Sequence, residues 1–272
     1  MPRLSFIGSL VAGAALAAPV FSSELTDLAE FDPGAAQVVI LGEVHDNPAH
    51  HEAQAELVAR MAPAAVVFEM LTPEQARTIV DMGADSGVEA LAEALGWARS
   101  GWPDFAMYHP ILAAAGDAAI YGAALPRDRV RAAVTDGAAE VFGQGYERFG
   151  LGDPLPDAEQ ATREAGQMAA HCDALPEDIL PGMVAAQRLR DAHFARVTLD
   201  ALGETGGPVA VITGNGHART DWGIPAAIAR AAPQVDVLSF GQVEAPPEPP
   251  VPFDLWRVTV APERDDPCAA FR

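Results

Sequence analysis

The sequence predicts an α/β fold, a central and mostly parallel sheet flanked by helices, with a large helical insertion between the second and later strands. Three observations carry this reading. Short apolar runs recur at 37–41, 64–68, 118–122, 208–213, 235–240 and 255–260. Helical patterns separate most of them, as in repeated βα units. Two runs end in glycine, then ionisable side chains, then a helix start: Val38-Val39-Ile40-Leu41-Gly42-Glu43-Val44-His45 and Val209-Ala210-Val211-Ile212-Thr213-Gly214-Asn215-Gly216-His217. An open sheet presents its chemistry in this way, at the carboxyl ends of its strands.

Taken in order, residues 1–22 read as a secretory signal. Arg3 gives the positive start, Leu4 to Val20 is apolar, and Ala17 or Ser22 offers a small-residue cleavage point. The stretch is short for a membrane span and contains Pro19. Residues 23–272 then form a single α/β domain. After the first strand, Asn47 or Asp46 is placed to cap a helix with Pro48 in its first turn, and Leu57, Val58 and Met61 give that helix an apolar face. The second strand ends in Phe68-Glu69-Met70, and Thr72-Pro73-Glu74-Gln75 opens the next helix. The helical insertion spans about 72–203, with helical patterns at 73–83, 86–99, 104–116, after Arg127, at 157–171 and at about 180–202. Gly150, Gly152, Pro154 and Pro156 mark a loop inside it. A Pro-rich linker at 244–252 leads to a last edge strand.

Composition narrows the chemistry. The 272 residues are half hydrophobic and carry 38 acidic against 17 basic side chains. A polyanion is repelled by that excess, so no nucleic-acid partner is expected. All 17 basic residues are arginine, which excludes lysine Schiff bases and the P-loop lysine. There is no Gly-x-Ser-x-Gly elbow, no His-Glu-x-x-His helix and no Gly-rich dinucleotide fingerprint after the first strand. Cys172 and Cys268 suit a disulfide in an oxidising compartment, or two buried thiols; spacing does not choose between them. No cysteine lies near the cleavage region to carry a lipid.

If the first strand stays extended, Glu43 and His45 point the same way. Together they offer an acid/base pair or two metal ligands. Glu69 ends the next strand at the same edge, and its apolar lead-in implies burial, which raises a carboxyl pKa unless a cation compensates. It also reads as a helix cap or an ion-pair residue. His50 and Gln54 share a helix face with His51 turned away, and both histidines read as surface residues near a helix start. His217, between glycines, has little reason to be there except its ring. Arg219 and Asp221 are placed to pair with each other. A second feature is Trp97 to Pro110, rich in rings, whose Tyr108-His109-Pro110 segment suits either the wall of a flat apolar cofactor such as haem or a helix hairpin packed into the core.

Several of these segments resemble the ChaN-like haem-binding uptake family. They are Val39 to Gln54, Phe68-Glu69-Met70, Trp102 to Pro110, Met183 to Ala195 and Gly214 to Arg219, and the resemblance covers about residues 36–240. The family sits in a superfamily with Tiki proteases, TraB proteins and erythromycin esterases. The superfamily pattern falls here on Glu43 and His45, Glu69, and Gly214 to His217. The resemblance implies a periplasmic haem-binding protein linked to haem or iron acquisition, with Tyr108, His109, His50 or His217 as axial ligand and Arg219 or Arg99 pairing with propionates. The superfamily implies the alternative, a protease or esterase in which Glu43, His45, Glu69 and His217 act directly or hold a divalent metal such as Mn, Co or Zn. The family's lipid anchor is not expected, because the lipobox cysteine is missing. Haem or another small molecule is the expected partner, with peripheral membrane contact and a homodimer left open.

Overall fold

Successive residues of the central strands enter two different cores, which is why those strands are apolar along their whole length. Val39, Leu41, Val66, Phe68, Ala210 and Ile212 face one core. Val38, Ile40, Ala65, Val67, Val209 and Val211 face the other. The structure is a computed structural model and describes residues 22–83 and 86–269; all of the leader read at 1–22 except Ser22 lies outside the described residues.

The strands are β1 (Ser23–Glu24), β2 (Val38–Glu43), β3 (Ala65–Phe68), β4 (Ala119–Gly122), β5 (Val209–Gly214), β6 (Val237–Val243) and β7 (Leu255–Val258). They form one sheet in the order β1-β7-β6-β2-β5-β3-β4, and every pair is parallel. Three strand ends therefore stand side by side, β2, β5 and β3. Their register sets Glu43 against Gly214 and Phe68 against Ile212.

The helices are α1 (Pro48–Met61), α2 (Pro73–Met82), α3 (Val88–Ala94), α4 (Phe105–Ala115), α5 (Arg127–Asp136), α6 (Ala138–Phe142), α7 (Asp157–Ala170), α8 (Leu180–Thr205), α9 (Asn215–Ala218) and α10 (Ile224–Ala231). Asn47 caps α1 by accepting from the Ala49 amide, with Pro48 at the first position. Thr72 and Gln75 form a capping box on α2. One face of the sheet buries Leu57 and Val58 of α1 and Tyr108, Ile111 and Leu112 of α4. The other buries Leu189, Phe194 and Ala195 of α8 with Ile224 and Ile228 of α10.

The fold class agrees with the sequence reading, and the differences are local. The pattern read as one helix over 86–99 breaks at Gly96, whose φ of 61° ends α3 and starts a short 3-10 turn at Trp97–Arg99. The strand run read at 118–122 is β4, which divides the helical stretch over 72–203 and pairs with β3 at the edge of the sheet. β7 is not at the edge: the two-residue β1 pairs outside it, too short to leave a pattern. The tail after β7 then runs over the carboxyl end of the sheet. Thr259 meets the His50 ring, Asn47 donates to the Val260 carbonyl, and Arg264 bridges Asp46 and Glu244.

Cys172 and Cys268 are joined in a disulfide. It ties this tail to the end of α7, a helix with no buried residue. The bridge closes a sequence separation of 96, so replacing both cysteines with serine is expected to cost about 2–4 kcal/mol, read as a lower urea midpoint against the oxidised wild type.

Candidate functional site

Glu43 is the last residue of β2 and 2 % exposed. Its Oε1 lies 2.7 Å from His45 Nδ1, the same-side geometry that strand alternation predicts. His45 Nε2 makes no hydrogen bond among the described residues, and the side chain is 34 % exposed, so this ring presents one open nitrogen backed by a carboxylate. It packs edge-on against Trp102, ring centroids 4.8 Å apart. A side chain on Gly214 would sit 2.8 Å from that nitrogen, so the glycine at the end of β5 makes the space for the ring. Burial alone would lower the His45 pKa, yet the Glu43 hydrogen bond and the charges of Glu69 and Glu43 raise it above the ordinary histidine value.

Glu69 follows β3 and is 2 % exposed. Its Oε2 accepts from the Thr213 hydroxyl at 2.6 Å and the Gly214 amide at 2.8 Å; its Oε1 pairs with Arg190 of α8 at 2.5 Å. Burial would push this carboxyl up. The charges of His217, Arg190 and His45 and the Thr213 hydrogen bond hold it instead at about 2. The compensating cation that the sequence left unnamed is Arg190.

His217 sits on the short α9 and lies between two carboxylates. Its Nδ1 is 2.5 Å from Asp191 Oδ1 and its Nε2 is 3.6 Å from Glu69 Oε1. Gln187 reaches the ring at 3.3 Å. Gln187 and Asp191 are four apart on α8 and share the face that meets His217, while Arg190 and Phe194 share the next. Sequence reasoning missed Asp191 and Arg190. Their signal was a charged pair inside a helix stretch of otherwise apolar spacing, from Leu189 to Ala195.

Glu43, His45, Glu69 and His217 thus gather at three neighbouring strand ends. Among the described residues no group of three or more His, Cys, Asp or Glu side chains is arranged to hold a metal ion. Glu69 is engaged by Arg190, Thr213 and Gly214, and His217 by Asp191.

The other residues read as cofactor ligands are engaged within the fold. His50 and His51 are buried within α1, not on the surface as expected. The Val44 amide donates to His50 Nδ1 and its Nε2 faces Thr259, so both nitrogens are used; burial lowers its pKa to about 4. His51 Nε2 donates to the His45 carbonyl. Tyr108 is 2 % exposed, and its hydroxyl donates to Glu43 Oε1 at 3.3 Å; burial and the carboxylates raise its pKa, which opposes a tyrosinate. His109 meets the Ser86 carbonyl. Arg219 pairs with Asp221. None of these lines the large cleft beside Glu69, and His45 borders it only through Trp102.

That cleft, about 560 Å³, is lined by Trp102, Met70, Leu125, Val130 and Phe194, with Arg127, Arg131 and Arg190 among them. It offers an apolar wall and a cationic rim at the carboxyl edge of the sheet. The Glu69–Arg190 pair at its floor has a measurable consequence. A carboxyl held below its unfolded value stabilises the fold above that value, and the contribution is lost as pH falls from about 4.5 toward about 2. Arg190→Met removes the cation and is expected to cost about 2–3 kcal/mol near neutrality and to move the acid-unfolding midpoint to higher pH, followed by circular dichroism.

Comparison with known proteins gives a consistent result. The model of a family described as haem-binding uptake, Tiki superfamily, ChaN, matches residues 33–228. A search of the curated proteins gives no match. Among solved structures the chain is similar to ChaN of Campylobacter jejuni, described with cofacial haem binding: 19 % identity, 76 % of this chain and 81 % of that chain, TM-score 0.57. It is also similar to a mutant of the erythromycin esterase EreC in its open conformation, at 15 % identity, 80 % of this chain and 74 % of that one, TM-score 0.42. The family match covers most of the chain, and the chain belongs to the haem-binding uptake family of the Tiki superfamily, ChaN.

Proposed function

We propose that this protein is a periplasmic haem-binding protein serving haem or iron acquisition, with haem seated in the cleft beside Glu69. The observation that carries the reading is the junction of that cleft with His45. Trp102, which packs on the His45 ring, is also a wall of the cleft, and Glu43 fixes His45 through Nδ1 so that Nε2 is the nitrogen left to ligate iron. The apolar side chains suit a porphyrin face, and Arg127 and Arg131 suit its propionates. Haem bound there would supply a redox-active iron and a strong visible spectrum. A disulfide supports an oxidising compartment, and no helix among the described residues is long and apolar enough to cross a membrane.

Haemin added to the purified protein is expected to give a Soret band that His45→Ala abolishes or shifts, and that Tyr108→Phe leaves in position. Removing Arg127 and Arg131 together weakens binding about tenfold. Protonation of His45 competes with iron, so affinity falls on acidification, and the fall begins above the pH at which an ordinary histidine titrates. A visible spectrum unchanged at micromolar haemin rejects the proposal.

The two carboxylate–imidazole pairs, Glu43–His45 and Asp191–His217, favour a second reading, a hydrolase of an ester or amide. There His45 moves the proton of an attacking water while Glu43 orients the ring. Turnover of an ester and peptide panel that disappears in His45→Ala supports this reading; none at any pH removes it.

A further inference from the structure

A second cleft includes Asp191 in its lining but not His217, and shares no lining residue with the cleft beside Glu69. It has a volume of about 330 Å³ and its lining includes Asp191, Arg163, Arg188, Arg230, Asp153 and Trp222. At that size it admits a small molecule and not a porphyrin. Its walls come from α7, α8, α10, the loop 149–156 and residues 221–222, none of which supplies a residue to the Glu43–His45 pair.

Two buried polar atoms in this lining have no partner. Asp191 Oδ2 accepts no hydrogen bond, although Oδ1 of the same carboxylate holds His217. Arg163 Nε donates none; the rest of its guanidinium pairs with Glu159 and lies over the Trp222 ring. Their side chains are 3 % and 9 % exposed. A buried polar atom left unpaired costs about 1–3 kcal/mol, and here an orphan acceptor and an orphan donor belong to two residues that line the same cleft. Burial raises the Asp191 pKa, opposed by the charges of His217 and Arg163. The other guanidinium groups are only part-used: Arg188 donates to the Gly150 and Asp153 carbonyls, and Arg230 pairs with the Asp153 carboxylate.

We propose that this cleft is a binding site for a small carboxylate bearing an adjacent hydrogen-bond donor, an α-amino or α-hydroxy acid. The donor of the ligand satisfies Asp191 Oδ2, and its carboxylate satisfies Arg163 Nε with help from Arg188 or Arg230. One molecule of this kind meets both requirements, whereas a simple anion leaves Asp191 unpaired and a simple alcohol or amine leaves Arg163 unpaired. Because Asp191 also holds His217, an occupant of this cleft is felt at the His217 ring.

The test is calorimetric titration of the mature, oxidised protein with glycine, serine, glycolate and lactate, and with acetate and ethanolamine as compounds lacking one group. At least one amino or hydroxy acid is expected to bind about tenfold or more tightly than acetate and ethanolamine, and the two subsets tell an amino from a hydroxy ligand. Binding should shift the His217 ring resonances in NMR. Asp191→Asn and Arg163→Met should each weaken it about tenfold. Should Asp191→Asn fail to fold, Arg163→Met, at the far wall of the cleft, carries the test. No heat from any of these compounds up to about 10 mM overturns the proposal, as does binding unaltered in Arg163→Met, since ordinary water then suffices for the two atoms. Neither outcome touches haem binding, which is read by its own spectrum.

Discussion

A single buried carboxylate organises the carboxyl edge of this sheet. Glu69 leaves β3, accepts from the Thr213 hydroxyl and the Gly214 amide at the end of β5, and takes the Arg190 guanidinium from α8. An ionised carboxylate without such partners is intolerable in that environment. With them it becomes the joint that fixes how β3, β5 and α8 meet. His217, 3.6 Å away, and the field felt by His45 follow from where that charge is held.

Around this joint the histidines divide by how many of their nitrogens the fold uses. His50 spends both on the backbone and on Thr259, and burial keeps it neutral. His217 is clasped between Asp191 and Glu69. His45 alone of these three keeps a nitrogen open, because Gly214 lacks the atom that would cover it. Chemical availability here is a property of what surrounds each ring, and the four histidines His45, His50, His51 and His217 look alike as letters.

The sheet and most of its helices were legible because a parallel sheet buried on both faces demands apolar runs, and the helices between them need caps and an apolar stripe. The convergence of Glu43, His45, Glu69 and His217 was legible from their position at strand ends. What was not legible depended on neighbours remote in sequence. Arg190 and Asp191 reach their partners across separations of 121 and 26 residues; the charged pair on an apolar stretch of α8 stands out, but nothing local says what it meets. His50 and His51 were misjudged for the same reason: α1 begins as a surface helix would, but α4 and the tail cover it. β1 escaped notice because two residues carry no periodicity.

The tail after β7 supplies partners to residues made long before it. Thr259, Val260 and Arg264 close over His50, Asn47 and Asp46, residues synthesised more than two hundred positions earlier. A chain emerging amino end first therefore carries Asp46, Asn47 and His50 through synthesis without these partners. The tail that supplies them is itself tied to the end of α7 by the disulfide at Cys268, so two distant parts of the chain are pinned by one late segment.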